Sequence, residues 1–277
     1  VLLIDLPGQG ASTASFVTFG LREADGVRAA IEELRRRAPG QRIGVIGLGG
    51  MGTGIALSLQ RAGFDVVGTA ATAHTRDKAS KLGISVEASV NALAAQVDAI
   101  VLSLPTPEVV RSVLTGPEGV AYHARPGLVV IDTSTSEPHV SDMMANRLAE
   151  RGVAFIDAPV SGNPDVASAG MLTMMIGGAN EDVAAAAPIL CAISAQRFHL
   201  GPVGAGNIAK LANNMLAAAH FLLSAEIARI AEHAGLGAAS LLPAINASTG
   251  RSFITEHAYP KWILSGEFNV GFTMKLM

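Results

Sequence analysis

The sequence predicts an α/β fold, a doubly wound parallel sheet of the Rossmann type followed by an all-α domain. Three observations carry this. A short apolar strand, 43–46, runs into Gly47-Leu48-Gly49-Gly50-Met51-Gly52, and a helix-like segment, 53–62, follows. Apolar runs of strand length then alternate with helix-like stretches, which implies βαβ units and a parallel sheet with helices on both faces. After Gly206 the strand pattern stops and helical patterns continue to the end.

The first element is the most telling. Strand, glycine turn and helix form the required context of a dinucleotide-binding fingerprint. Gly47 allows the turn, Gly49 lets the backbone approach a pyrophosphate, and Gly52 lets the helix pack close to the strand. The helix N-terminus offers free N–H groups to phosphates. Further strands are expected at 65–68, 99–104, 128–131, 153–156 and 172–176, with helices at 90–95, 107–114 and 138–150. A long helix is expected over 207–234 and another over 238–246. The domains predicted are an extension over 1–41, a dinucleotide-binding domain over 42–203 and a helical domain over 204–277.

Composition narrows the functional class. Of the 277 residues, 49% are hydrophobic, enough for a real core. A net charge of −3 gives no reason to expect nucleic acid or an acidic membrane, and 4% aromatic residues argue against base-stacking platforms. The single cysteine, Cys191, suits a reducing compartment and reads as a small core residue. Val1-Leu-Leu-Ile is short and runs into Asp5 and Pro7, so no leader is expected and the location read is cytoplasmic. The segment 215–230 carries His220, Glu226 and Arg229, so it reads as buried in the protein and not as a membrane span. No metal site is expected.

Four motifs fall at consistent places. Leu104-Pro105, Asp132-Thr-Ser-Thr-Ser-Glu-Pro138 and Asp157-Ala-Pro-Val-Ser-Gly162 each end a strand. Ligands of open parallel sheets sit beyond such ends. Gly204-x-Gly206-x-x-x-Lys210-x-x-Asn213-Asn214 opens the long helix.

Together with the fingerprint, these motifs make the chain resemble the β-hydroxyacid dehydrogenase family, in its 3-hydroxyisobutyrate dehydrogenase group, from about residue 42 on. The resemblance implies hydride exchange between a nicotinamide and the carbinol carbon of a small 3-hydroxy acid. It implies that Lys210 is the catalytic lysine and that Asn214 orders substrate and lysine. Ser161 and Gly162 would hold the substrate carboxylate, and the neighbouring Asn163 is expected to contact the substrate as well. Leu104, Pro105 and Thr135, with Gly47 to Gly52, would line the cofactor. The family's long helix often makes subunit contacts, which implies a homo-oligomer. The alternative is a non-catalytic nucleotide-binding fragment or chimera with no turnover.

The residues support the chemistry in their own right. Removing hydride from an alcohol carbon requires the hydroxyl proton to leave, and a group poised near the working pH should take it. A lysine in a partly desolvated cleft can be tuned that way. Lys210 and Asn214 are four apart and share a helix face. The plain alternatives are a solvated helix lysine at 210 and an ordinary turn at Ser161-Gly162. Asp157 reads as ordering that turn, and Ser134 and Thr135 as helix caps ahead of Glu137. Arg251 reads as a surface residue or a carboxylate partner.

Several departures from the family pattern stand out. Asn163 and Pro164 occupy places where the family usually has a second glycine, which leaves the substrate open. The Lys-x-x-Asn-Asn spacing argues against related 6-phosphogluconate dehydrogenases, and the lysine argues against imine reductases. The second strand ends Gly68-Thr-Ala-Ala-Thr72 without the carboxylate that would hold the ribose of NAD. Arg76 lies beyond, with Thr72, His74 and Thr75. The cofactor is therefore NAD or NADP, with a lean to NADP.

Residues 1–41 resemble instead an α/β-hydrolase segment leading to a nucleophile elbow, but Gly49 stands where the serine would be, so no hydrolase chemistry is expected. This suggests a junction of two unrelated chains. At the other end, the match reaches Phe272-Thr-Met-Lys-Leu-Met277, just before a Lys-Asp pair of the family, so a truncated helical domain is expected.

Overall fold

The computed structural model describes residues 40–268. The hydrolase-like extension falls outside these residues but for its last two positions. Nine strands form one sheet among the described residues: β1 Arg42–Ile46, β2 Asp65–Thr69, β3 Ser85–Val86, β4 Ala99–Leu102, β5 Val129–Asp132, β6 Ala154–Asp157, β7 Val160–Ser161, β8 Leu172–Gly177 and β9 Ser194–Gly201. Their order is β3-β2-β1-β4-β5-β6-β8-β7, with β9 on β8. The strands β1 to β6 pair in parallel, and the order reverses between β1 and β4.

The far edge departs from the expected all-parallel sheet. Strand β8 runs antiparallel to β6 and β7, while β9 returns parallel to β8. Between β6 and β8 the only helix is Pro164–Ser168. Five helical residues rise about 7.5 Å, against about 20 Å for a six-residue strand, so the chain reverses here where a full crossover would recross the sheet.

The helices used below are α1 Gly50–Arg61, α2 Ala73–Ser80, α3 Val90–Ala94, α4 Pro107–Thr115, α5 Val120–His123, α6 Pro138–Ala149, α7 Pro164–Ser168, α8 Asn180–Ile193, α9 Ala205–His233 and α10 Ala238–Asn246. Strand β4 shows the doubly wound arrangement residue by residue. Ala99 and Val101 enter one core with Ile55 and Leu59 of α1 and Ile189 of α8. Ile100 and Leu102 enter the other with Val110 and Leu114 of α4 and Met144 and Leu148 of α6. Alternate side chains of a strand point to opposite faces, so a strand covered on both reads as one continuous apolar run.

The described residues divide into two compact units, with the division between Ile208 and Ala209. The division falls after the first turn of α9, which stays with the sheet. In the second unit, α9 and α10 are joined by a helix of the wider i→i+5 turn, Ile254–Leu264, and Ala228, Leu242, Ile254, Ala258 and Tyr259 form a small core. The expected burial of 215–230 is corrected: Met215 and Leu222 are 77% and 74% exposed, and Leu216, Leu223 and Ile230 are open as well. A helix apolar on most sides asks for cover, but only a narrow stripe, near Phe221 and Ala228, meets the core of this unit. Among the described residues no helix is long and apolar enough to cross a membrane.

Candidate active site

The glycine turn is built as its spacing predicts. Gly47 has φ +100°, and its N–H donates to Thr69 O at 2.9 Å across the end of β2. A Cβ on Gly52 would overlap Gly47 O, so bare backbone lets α1 start against the turn. Nothing lies within 4 Å of the place a Gly49 Cβ would take, and its φ is an ordinary −67°. Neither packing nor strain demands glycine there. The space beside it is open. The start of α1 has no side-chain cap and no acidic residue in its first turn, so its N–H groups face that space unspent. The Leu48 side chain is buried beneath Gly68, so only its backbone is open to the turn. Met51 leans on the core.

These glycines predict different outcomes. Gly49→Ala should leave the melting temperature unchanged and weaken dinucleotide binding. Gly52→Ala should weaken binding and also cost about 1–3 kcal/mol of stability by overpacking. Thermal melts with nicotinamide fluorescence titrations separate the two, and parental affinity in Gly49→Ala would refute the ligand reading of the open space.

The next two strand ends are tied together. Leu104 N donates to Ser134 Oγ at 2.9 Å, Thr133 Oγ1 donates to Leu102 O at 2.5 Å, and Ser134 N donates to Asp132 Oδ1 at 2.9 Å. The sequence placed Ser134 and Thr135 as helix caps. The cap of α6 is Glu137, and Ser134 instead holds the Leu104-Pro105 loop, while Thr135 is half-buried. Pro105 is exposed beside it.

The Ser161-Gly162 turn lies against the fingerprint helix. Pro164, which opens α7, packs on α1 where Gly50 and Gly54 leave room: a Cβ on Gly50 would stand 3.1 Å from Pro164 Cγ, and one on Gly54 2.8 Å from Pro164 O. Ser161 pairs with Thr173 of β8, and no hydrogen bond engages its hydroxyl among the described residues. Gly162 has φ +146°, and a Cβ there would stand 2.7 Å from Leu172 Cδ2. The side chain of Asn163 is already employed as the cap of α7, accepting from Val166 N at 3.0 Å. That cap engages only its Oδ1, and the residue is exposed.

Asp157 does not order that turn. Its carboxylate, sealed from solvent, accepts from Gly204 N at 2.7 Å and Asn207 N at 2.8 Å, and so caps α9. Burial pushes its carboxyl above the usual range, against the pull of those two N–H donors. Asn207 is equally buried and was missed in the sequence, where it reads as one more position between Gly206 and Lys210. The only signal was a polar residue on the first turn of a helix otherwise apolar.

Lys210 and Asn214 stand on α9 in the second unit. Lys210 is half-buried, and burial draws its ammonium below the ordinary lysine pKa. No carboxylate pairs with it among the described residues. Asn214 is exposed and accepts from Asn213 Nδ2 at a long 3.5 Å. Arg251 is a surface residue paired with Glu256 at 3.1 Å. Among the described residues no group of three His, Cys, Asp or Glu could hold a metal ion.

A glycine turn and a bare helix start at the point where strand order reverses is how open α/β sheets bind dinucleotides. With a helical unit bearing a desolvated lysine, the molecule falls in the class of nicotinamide-dependent dehydrogenases. Residues 42–201 match the family described as the NAD binding domain of 6-phosphogluconate dehydrogenase, and residues 204–277 that described as the NAD-binding of NADP-dependent 3-hydroxyisobutyrate dehydrogenase. The 2-(hydroxymethyl)glutarate dehydrogenase of Eubacterium barkeri is 35% identical over 85% of this chain and 78% of its own length. The mitochondrial 3-hydroxyisobutyrate dehydrogenase of Mus musculus is 31% identical over 91% and 75%. Among solved structures, the 3-hydroxyisobutyrate dehydrogenase of Mycobacterium tuberculosis with L-serine superposes with a TM-score of 0.74 at 33% identity, over 79% of this chain and 74% of that one. The chain belongs to the β-hydroxyacid dehydrogenase family and is an NAD(P)-dependent dehydrogenase of that family.

Proposed function

We propose that the chain exchanges a hydride between NADP and the carbinol carbon of a small 3-hydroxy acid of the 3-hydroxyisobutyrate type, with Lys210 as the proton-transfer group. The observation that carries this is a lysine whose charge is disfavoured by burial, on one helix face with Asn214. In the oxidising direction, neutral Lys210 Nζ accepts the hydroxyl proton as the alcohol becomes a carbonyl, and it returns the proton in reduction. Asn214 orders the hydroxyl and the lysine. The hydroxyl of Ser161 and the backbone at Gly162 bind the substrate carboxylate. The nicotinamide, when bound, supplies or accepts the hydride. The names of the relatives fit an acid with its hydroxyl one carbon removed from the carboxyl-bearing carbon.

For the cofactor, β2 ends at Thr69 with no carboxylate to repel a 2′-phosphate. Arg76 Nη1 donates to Ala70 O at 2.5 Å, which brings the guanidinium back to that strand end, and Thr72 caps α2 beside it. A bidentate guanidinium suits a phosphate. Fluorescence titration should therefore show NADPH binding tighter than NADH, and Arg76→Ala should lose about 1.4–3 kcal/mol, tenfold or more, for NADPH with little change for NADH. Equal affinities, or an Arg76→Ala variant that keeps the preference, would overturn the NADP reading. Binding of either nucleotide without turnover of 3-hydroxyisobutyrate or its near analogues would favour the alternative of a non-catalytic nucleotide-binding chain.

A further inference from the structure

Asp157 ends β6 inside a cage of bare backbone. A Cβ on Gly177 would overlap its Oδ1, and one on Gly206 would stand 2.9 Å from its Oδ2 and overlap Met175 O. Gly206 is thus what lets the start of α9 reach the carboxylate, while Gly204, at φ +90°, turns the chain into it. The glycines that open the lysine-bearing motif are there for Asp157.

Asn207 adds a second constraint. Its Oδ1 accepts from Ser136 N at 2.8 Å, and its Nδ2 donates to Ser141 Oγ at 3.0 Å. Asp157 meets the backbone at the helix start, so it sets the position of the first turn along its axis. Asn207 reaches sideways to the β5–α6 turn, so it sets the rotation of that turn. Both contacts are sealed from water, where an unmet polar group is costly. Lys210 follows Asn207 by three residues on this helix, less than one turn.

We propose that Asp157 and Asn207 are positioning residues for Lys210: together they fix the place and rotation of the helix turn that presents its amine. The proposal rests on the reading of Lys210 as the proton-transfer group. Misplacement of a reacting group by about 1 Å can cost 100-fold, so a small loosening here is enough to be seen.

The test uses Asp157→Asn, Asn207→Ala and the milder Ser141→Ala, with Lys210→Met alongside. Steady-state kinetics and NADPH titrations are combined with NMR of protein whose lysines carry ¹³C-methyl groups, the Lys210 signal being the one that Lys210→Met lacks. In Asp157→Asn and Asn207→Ala, kcat should fall about 100-fold with the NADPH Kd within about twofold, and the Lys210 signal should titrate nearer to ordinary lysine. Ser141→Ala should do the same in smaller measure. Should Asp157→Asn not fold, Ser141→Ala decides, and an unmoved Lys210 titration with unchanged kcat overturns the proposal. Loss of NADPH affinity in step with kcat also overturns it, because it marks general damage. Full turnover in Lys210→Met would sink the reading of the lysine itself. An inactive Lys210→Met beside unperturbed Asp157 and Asn207 variants would sink the positioning role alone.

Discussion

Lys210→Met is expected to lower kcat by about 10³-fold while leaving NADPH binding intact. General acid–base catalysis contributes about 10² to 10⁴ in rate, and a methionine of similar length keeps the apolar stem but can carry no proton. The pH dependence supplies a second signature. Oxidation needs the neutral amine, so the parent rate should fall as pH drops through the Lys210 pKa. Burial draws that pKa below the ordinary lysine value, so the fall should come at lower pH than a solvated lysine would give. The variant should lose that limb of the profile. Retention of more than a tenth of kcat, or a profile unchanged in shape, would show that Lys210 is a solvated helix lysine after all.

What could be read in the chain differs by the kind of signal. The fingerprint was legible because its context is local: one short stretch supplies strand, turn and helix, and the structure differs mainly in starting α1 at Gly50, with one-residue shifts at the start of β1 and the end of α1. Strands β1, β2, β4, β5, β6 and β8 were visible as apolar runs because both sheet faces are covered. Strands β3 and β7 hold two residues each, too few for any period, and β9 is mostly exposed and polar, so its strand character comes only from pairing with β8. The antiparallel edge is a matter of long-range pairing that no local pattern records. At the site, Ser161, Gly162 and Lys210 were singled out as residue types suited to chemistry. The true partners of Asp157 lie 47 and 50 positions away, so its carboxylate was assigned to the nearest turn. Asn163, a polar residue beside the motif, also caps its own short helix, a contact made with a residue only three positions on.

Asp132→Asn is expected to make the protein more stable at pH 8 and to leave it little changed near pH 4. Asp132 and Asp157 are direct neighbours at the ends of β5 and β6, and both are sealed from solvent. Burial raises the Asp132 carboxyl from 3.8 to about 7, against the hydrogen bond from Ser134 N, and the neighbouring Asp157 adds to the rise. Its Oδ2 has no hydrogen-bond partner among the described residues. A folded pKa above the unfolded one means that folding takes up a proton in the window between them, so stability falls as pH climbs from about 4 to about 7. A difference of about 3 in pKa corresponds to about 4 kcal/mol at 1.36 kcal/mol per unit; side-chain relaxation and water entry reduce this, so a gain of about 2–4 kcal/mol at pH 8 is expected. Asparagine mimics the protonated acid: its oxygen can keep the bond from Ser134 N, and its NH₂ occupies the unpartnered position without charge. Urea unfolding of parent and variant at pH 4.5, 6 and 8 reads the difference directly. Parallel stability curves would mean that Asp132 stays ionised in the fold, and that some group beyond those described here satisfies its second oxygen. A gap that opens with pH would show a carboxyl kept neutral by burial at the end of β5.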